Sequence, residues 1–358
     1  MGDRRLLQGN IAICEGAIDA GCMAYFGYPI TPQNEITEYM SKRMLELGRV
    51  FLQSESELAA INMVLGASIA GARTMTSSSS PGISLMQEGL SYLAGCELPA
   101  LVVNVQRGGP GLGNISGSQA DYYQATRGGG HGDYRNIVLA PYSVEEMYKF
   151  PFLGFSLAEK YRIPVVILTD GYLGQMYEAV DVDSLKEENL EVEKYPKDWV
   201  LDGCKNREPR KIRSLYMELG GLERHNLELA KKYKKIEDSE RRVHVENIDD
   251  ADVLFVSFGI AARICKAAIR VLRKGYGIKA GLFRPITLWP FPGEELRDIV
   301  AAKRNVKLFV VELNLGQMIE DVKLSLYGTN VDVSFYGRPG GSIFTLEEII
   351  DYVTRSIA

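Results

Sequence analysis

The feature that most constrains this chain is an alternation along most of its length: strand-length apolar runs separated by helix-length segments. The runs lie at 101–105, 137–140, 165–169, 253–258, 307–312 and 331–336. Most are continuous in Val, Ile, Leu and Phe rather than alternating polar and apolar. A strand that is apolar on both sides must be covered on both sides, which is the condition of a parallel sheet between two helical layers. Helical patterns are expected at about 10–23, 32–47, 56–71, 81–95, 143–160, 260–275, 292–303 and 315–327. Strand, helix, strand in repetition makes the chain α/β with a doubly wound parallel sheet. Its 358 residues exceed the roughly 250–300 that one core usually holds, so two domains are expected.

Helix starts are marked locally. Thr31-Pro32 and Ser80-Pro81 each offer an N-cap residue followed by proline at the first helical position. Ser143 with Glu146 fits a capping box, and Ser54 with Glu57 fits another. From about 186 to 245 the chain turns rich in Lys, Arg and Glu, and Leu222, Leu227 and Leu229 suggest one exposed amphipathic helix. A fresh α/β pattern then runs to the end. The expected domains are 1–245, with a charged helical extension from about 186, and 246–358.

Composition narrows the function. A net charge of −5 argues against broad electrostatic binding to nucleic acid. Five scattered cysteines, none in a CxxC pair, supply no cluster or zinc framework and suit a reducing, cytoplasmic compartment. Three separated histidines make a metal site in this chain unexpected. The apolar runs are too short to span a bilayer.

Several segments carry chemistry-bearing residues. In Tyr28-Pro29-Ile30-Thr31-Pro32, two prolines present a threonine hydroxyl beside a helix start, where anions are favoured; on local grounds a plain cap is the alternative. Glu57 is either a capping-box residue or a placed acid, with Glu55 its nearby competitor. Residues 74–82, TMTSSSSPG, read as a polar, flexible strand end or a backbone-rich ligand cradle. Arg107 follows the strand at 101–105, and ligands of open parallel sheets bind beyond the carboxyl ends of strands. A guanidinium there suits a carboxylate or phosphate. The GxG at 111–113 is a poor dinucleotide fingerprint, so a nicotinamide-dependent dehydrogenase is disfavoured.

GYPITPQNE at 27–35, SE at 56–57, SSSSPG at 77–82, ATRGGGHGDYR at 125–135 and VELNLGQM at 311–318 resemble the 2-oxoacid:ferredoxin oxidoreductases over nearly the whole chain. The likeness is to the alpha subunit, nearest the 3-methyl-2-oxobutanoate (2-ketoisovalerate) branch, with the 2-oxoglutarate branch next. It implies a thiamin-diphosphate-binding fold whose residues 1–245 take the pyrimidine half, followed by a transketolase C-terminal-like domain. The implied reaction is oxidative decarboxylation of a 2-oxoacid with coenzyme A, giving acyl-CoA, CO2 and reduced ferredoxin. It also implies a beta subunit holding the diphosphate and Mg2+, with gamma and ferredoxin-like delta subunits carrying iron–sulfur clusters, in an anaerobic cytoplasm. The resemblance places Glu57 at the aminopyrimidine of thiamin, and Pro29, Ile30 and Thr31 beside it. Thr31 and Arg107 would then meet the 2-oxoacid carboxylate, and loop 108–133 would line the acyl pocket. Arg127 or His131 could greet a second carboxylate, which would favour 2-oxoglutarate. A non-catalytic assembly subunit of the same fold is the alternative of another class.

Overall fold

The computed structural model describes residues 4–181, 185, 190–303 and 305–357. The start of the charged segment, at 186–189, lies outside them. In chain order the first part contains β1 (Arg4–Gln8), α1 (Gly9–Asp19), β2 (Ala24–Gly27), α2 (Asn34–Glu46), β3 (Val50–Gln53), α3 (Glu57–Ile69), β4 (Thr74–Ser78), α4 (Ser80–Gly95) and β5 (Ala100–Gln106). It continues with α5 (Tyr122–Arg127), β6 (Ile137–Leu139), α6 (Val144–Tyr161), β7 (Pro164–Asp170), α7 (Gly171–Gln175), β8 (Tyr177–Asp181) and α8 (Gly221–Ser239). The rest comprises β9 (Val243–Glu246), β10 (Val253–Ser257), α9 (Gly259–Gly275), β11 (Ala280–Pro285), β12 (Thr287–Trp289), α10 (Gly293–Ala301), β13 (Lys307–Glu312), α11 (Met318–Ser325), β14 (Val333–Gly337) and α12 (Leu346–Ile357).

A seven-stranded sheet runs β12-β6-β7-β5-β4-β2-β3, parallel except for β12. A five-stranded sheet runs β14-β13-β10-β11-β9, parallel except for β9. The doubly wound α/β layering expected from the sequence is therefore present in both sheets. Strands β5 and β7, in the middle of the first sheet, are buried at every position. That is why they read as continuous apolar runs. Beyond the seam near 246 the division is not clean: β12 leaves the second half of the chain and pairs with β6 on the edge of the first sheet. Its two indole- and leucine-bearing positions, Trp289 and Leu288, join the first core.

Three local expectations are corrected. Residues 74–78 are not a flexible strand end but a wholly buried strand between β5 and β2. They escaped the apolar pattern because their side chains are mostly hydroxyls. Helix α2 begins at Asn34, so Thr31 is not its N-cap; the Thr31 carbonyl is taken by the Arg107 guanidinium at 2.9 Å instead of opening the helical ladder. Helix α4 starts one residue before Pro81, with Ser79 rather than Ser80 in the cap position. Ser143 does cap α6, accepting from the Glu146 amide at 3.1 Å. The Glu146 carboxylate binds the Tyr142 amide and Arg284 rather than closing the box. In α8, Leu229 is buried, while Leu222 and Leu227 stay exposed.

Candidate functional site

Sequence-adjacent loops bring Thr31, Glu57 and Arg107 to the carboxyl ends of β2, β3 and β5, three strands of one sheet. That edge is where a doubly wound sheet binds ligands, because the connecting loops part there and helix N-termini face it.

Thr31 is half-buried, and its hydroxyl accepts from Asn34 Nδ2 at 3.2 Å. Three amide side chains pin the segment around it. Gln33, fully buried, donates to the Tyr28 carbonyl at 3.2 Å and accepts the Ser77 hydroxyl at 2.6 Å. Asn10 donates to the Pro32 carbonyl at 2.9 Å, and Gln175 donates to the same oxygen at 2.8 Å. Pro29 is exposed and Ile30 half-buried, so both face outward from this chain.

Glu57 is the first residue of α3 and only 5% exposed. The capping alternative fails for a specific reason. Ser56 caps the helix, accepting from the Ala59 amide at 3.2 Å, while the Ser54 hydroxyl donates to the Gly27 and Ser56 carbonyls. Among the described residues no group is hydrogen-bonded to the Glu57 carboxyl. The competitor Glu55 is exposed. The Ser78 hydroxyl, close to Glu57, and the Ser79 hydroxyl are both buried with no partner. Gly82 makes this grouping possible: a Cβ there would lie 2.0 Å from Ser78 Oγ and 2.6 Å from Glu57 Oε1. A buried acid and hydroxyl left unpaired cost stability unless something else satisfies them.

Arg107 is 7% exposed. Its guanidinium donates to two carbonyls, Thr31 at 2.9 Å and Leu112 at 3.1 Å, and its Nε is buried without a partner. Ser80 fixes the backbone, its hydroxyl accepting from the Arg107 amide at 3.0 Å. No carboxylate pairs with Arg107 among the described residues. A buried guanidinium held only by neutral carbonyls keeps an uncompensated positive charge, which is the electrostatic requirement for an anion site.

The loop leaving Arg107 is held by the second sheet. The Gln119 amide donates to the Leu313 carbonyl and its side chain accepts from the Leu313 amide, both at 3.0 Å. Asn314 donates to the Gln119 carbonyl at 2.8 Å, and Gln317 to the Ala120 carbonyl at 2.8 Å. Glu312 is wholly buried and accepts from the Gln317, Met318 and Ile319 amides and from Asn314 Nδ2. Burial nevertheless holds its carboxyl above the usual range. VELNLGQM thus works as a clamp on residues 118–123. Asp170 spans the same seam, accepting from the Tyr172, Leu173 and Ile260 amides. Burial pushes it up to about 6. Burial likewise raises Asp121, whose carboxylate accepts from Asn104 at 2.9 Å.

Arg127 and His131 do not join the site. Arg127 pairs with Asp321 at 2.7 Å, and His131 is exposed, its carbonyl accepting the Ser91 hydroxyl. Sequence reasoning gave Asn10 no role and missed Gln33, Ser80 and Gln175. The available signal was polar residues set in otherwise apolar or small surroundings, as at Asn10 opening α1.

Residues 15–243 match the thiamine diphosphate-binding domain of the pyruvate flavodoxin/ferredoxin oxidoreductases. The chain belongs to this family. Residues 251–349 match core domain II of pyruvate:ferredoxin oxidoreductase. The ketoisovalerate oxidoreductase subunit VorB of Methanothermobacter thermautotrophicus is 46% identical, the alignment covering 99% of this chain and 98% of the relative. The 2-oxoglutarate synthase subunit KorA of Methanocaldococcus jannaschii is 36% identical, over 96% and 97%. The 2-oxoglutarate:ferredoxin oxidoreductase from Magnetococcus marinus, solved with 2-oxoglutarate, coenzyme A and succinyl-CoA bound, superposes with a TM-score of 0.87 at 29% identity. That match covers all of this chain and 66% of the solved one. A split-gene transketolase, an inactive beta4 tetramer, shares the fold alone, with a TM-score of 0.59 at 14% identity. The expectation of an alpha-type subunit of a thiamin-diphosphate-dependent 2-oxoacid:ferredoxin oxidoreductase holds at the level of the family. No helix among the described residues is long and apolar enough to cross a membrane.

Proposed function

We propose that this chain is the alpha subunit of a complex that oxidatively decarboxylates 3-methyl-2-oxobutanoate with coenzyme A, releasing CO2 and passing the electron pair to ferredoxin. The observation that carries this reading is Arg107, a buried guanidinium without an anionic partner among the described residues, beside Thr31 and on the same sheet edge as the unpartnered Glu57. Arg107 and Thr31 bind and orient the 2-oxoacid carboxylate until decarboxylation removes its charge. The Glu57 carboxyl holds a proton shared with the aminopyrimidine ring, and the unpartnered Ser78 hydroxyl, brought beside it where Gly82 has no side chain, offers a further polar contact. When bound, thiamin diphosphate supplies the nucleophile for the 2-oxo carbon and the electron sink for loss of CO2. Pro29 and Ile30 form the apolar rim of that site.

Residues 1–245 carry the site, and residues 246–358 act architecturally, clamping the loop after β5. A beta subunit completes the cofactor site with the diphosphate and Mg2+, and gamma and delta subunits carry the electrons onward. Five free cysteines fit a cytoplasmic setting. The branched acid is favoured over 2-oxoglutarate because Arg127 is committed to Asp321 and His131 is exposed, so neither offers a buried cation for a second carboxylate. The higher identity to the ketoisovalerate relative points the same way. Retention of Thr31, Glu57 and Arg107 together speaks against a non-catalytic assembly subunit.

The test is anaerobic viologen or ferredoxin reduction by the assembled complex with pyruvate, 2-oxoglutarate, 3-methyl-2-oxobutanoate and indolepyruvate in parallel. The highest kcat/KM is expected for 3-methyl-2-oxobutanoate. Preference for 2-oxoglutarate would overturn the acid, and no turnover with any acid would overturn the activity.

A further inference from the structure

Residues 107–117 form a small projecting hairpin whose root is rigid. Arg107 and Gly117 pair as an isolated antiparallel bridge, and the Gly108 amide donates to the Ser116 carbonyl at 2.9 Å. The Asn114 amide donates to the Gly108 carbonyl at 2.9 Å, and Asn114 Nδ2 donates to the Gly340 carbonyl at 2.6 Å, tying the hairpin to the second sheet's domain. The tip is Gly109-Pro110-Gly111-Leu112-Gly113. Gly111 and Gly113 have φ of +68° and +61°, and a Cβ at Gly113 would lie 1.7 Å from the Gly108 carbonyl oxygen. The backbone thus demands glycine on either side of Leu112.

The tip thus presents Leu112 to solvent, with Ile115 also exposed on the returning strand of the hairpin. Leu112 is 81% exposed, so it packs against little of its own chain, yet its carbonyl is held by the same guanidinium that binds Thr31. The buried arginine therefore fixes the leucine's backbone within one hydrogen bond of the anion site. A single exposed leucine on an ordinary loop needs no explanation. One whose carbonyl is held by a buried arginine, between two glycines at positive φ, does.

We infer that Leu112 is a specificity-determining residue: it forms an apolar wall for the alkyl group of the 2-oxoacid whose carboxylate Arg107 holds. The class it takes is uncharged, branched aliphatic 2-oxoacids. The inference rests on the proposed function, which it deepens by naming the residue that reads the side chain. Arg107 would then do two things at once, binding the carboxylate and placing the wall.

The test uses the reconstituted complex with Leu112→Ala and Leu112→Arg. Removing or adding a few methyl-sized contacts in an apolar pocket changes discrimination by roughly 10- to 200-fold. Leu112→Ala is expected to lower the ratio of kcat/KM for 3-methyl-2-oxobutanoate over pyruvate at least about 10-fold. Leu112→Arg is expected to raise the ratio for 2-oxoglutarate over 3-methyl-2-oxobutanoate. A parallel fall for all acids, or failure of either variant to co-elute with the partner subunits, overturns the inference, the latter making Leu112 an interface anchor. The wild-type acid profile reports on the parent reading and the variant's ratio on this one, so the two fail separately.

Discussion

The two sheets present their carboxyl ends in opposite states. At the end of β13 in the five-stranded sheet, Glu312 is completely buried and receives four hydrogen bonds, three from backbone amides at the start of α11. At the matching edge of the seven-stranded sheet, Glu57 is 5% exposed and receives none from the described residues, while the Ser78 and Ser79 hydroxyls and the Arg107 Nε are buried without a partner. Burying a carboxyl costs several kcal/mol unless hydrogen bonds or charges offset it. The second sheet offsets that cost internally. The first leaves it open, which is what a site completed by a ligand and a second subunit requires. One glutamate holds the fold, and the other is held by it.

Matched substitutions of the two glutamates test this difference most severely. Glu57→Gln in the assembled complex is expected to lower turnover by about 100-fold to 10,000-fold while leaving the denaturant midpoint of the chain unchanged or raised. Glu312→Gln is expected to do the reverse, lowering stability by about 2–4 kcal/mol because an amide cannot accept from all four donors. Equal loss of stability in both would erase the distinction.

Next in size is Arg107→Ala. If the uncompensated cation serves substrate, KM for the 2-oxoacid should rise about 100-fold, corresponding to about 3 kcal/mol, while thiamin diphosphate affinity measured by fluorescence quenching stays put. An unchanged KM would remove the anion site from the open edge.

The smallest effect concerns the seam between the sheets. Asp170 has a folded pKa of about 6, above the ordinary aspartate value of 3.8, because of burial. A carboxyl raised on folding stabilises below the unfolded value and loses that contribution as pH rises through the folded one. The wild-type chain should therefore lose about 2 kcal/mol of stability between pH 4 and 6 from this group. Asp170→Asn should flatten denaturation midpoints across that window. An unaltered slope would show that Asp170 is not strained by its place between the domains.

Much of the architecture was legible in the residues. Strands β5, β7, β10 and β13 announced themselves because burial on both faces writes a continuous apolar run. Strand β4 did not, since it is buried on both faces yet four of its five residues, Thr74, Thr76, Ser77 and Ser78, carry hydroxyls. Short strands such as β2 and β3 were too brief to carry a period. Helix α12 was not among the expected helices. Of the candidate site, Thr31, Glu57 and Arg107 were singled out from local chemistry and given their roles by motif likeness, whereas the amides that position them were not. Asn10 and Gln175 act on Pro32 across 22 and 143 residues, and no local pattern reports such a contact.

The sequence by itself determined the alternation of elements, the two sheets and the short list of candidate acids and cations, because burial periodicity and turn chemistry are properties of neighbouring residues. Only the tertiary structure decided which of those groups are spent and which are free. Ser56 rather than Ser54 caps α3, and that releases Glu57; Glu312 is consumed by α11; Arg107 meets carbonyls from residues 76 and 5 positions away and, among the described residues, no carboxylate. Satisfaction of a buried polar group depends on what distant segments bring within about 3 Å of it, and that distance is set by packing alone.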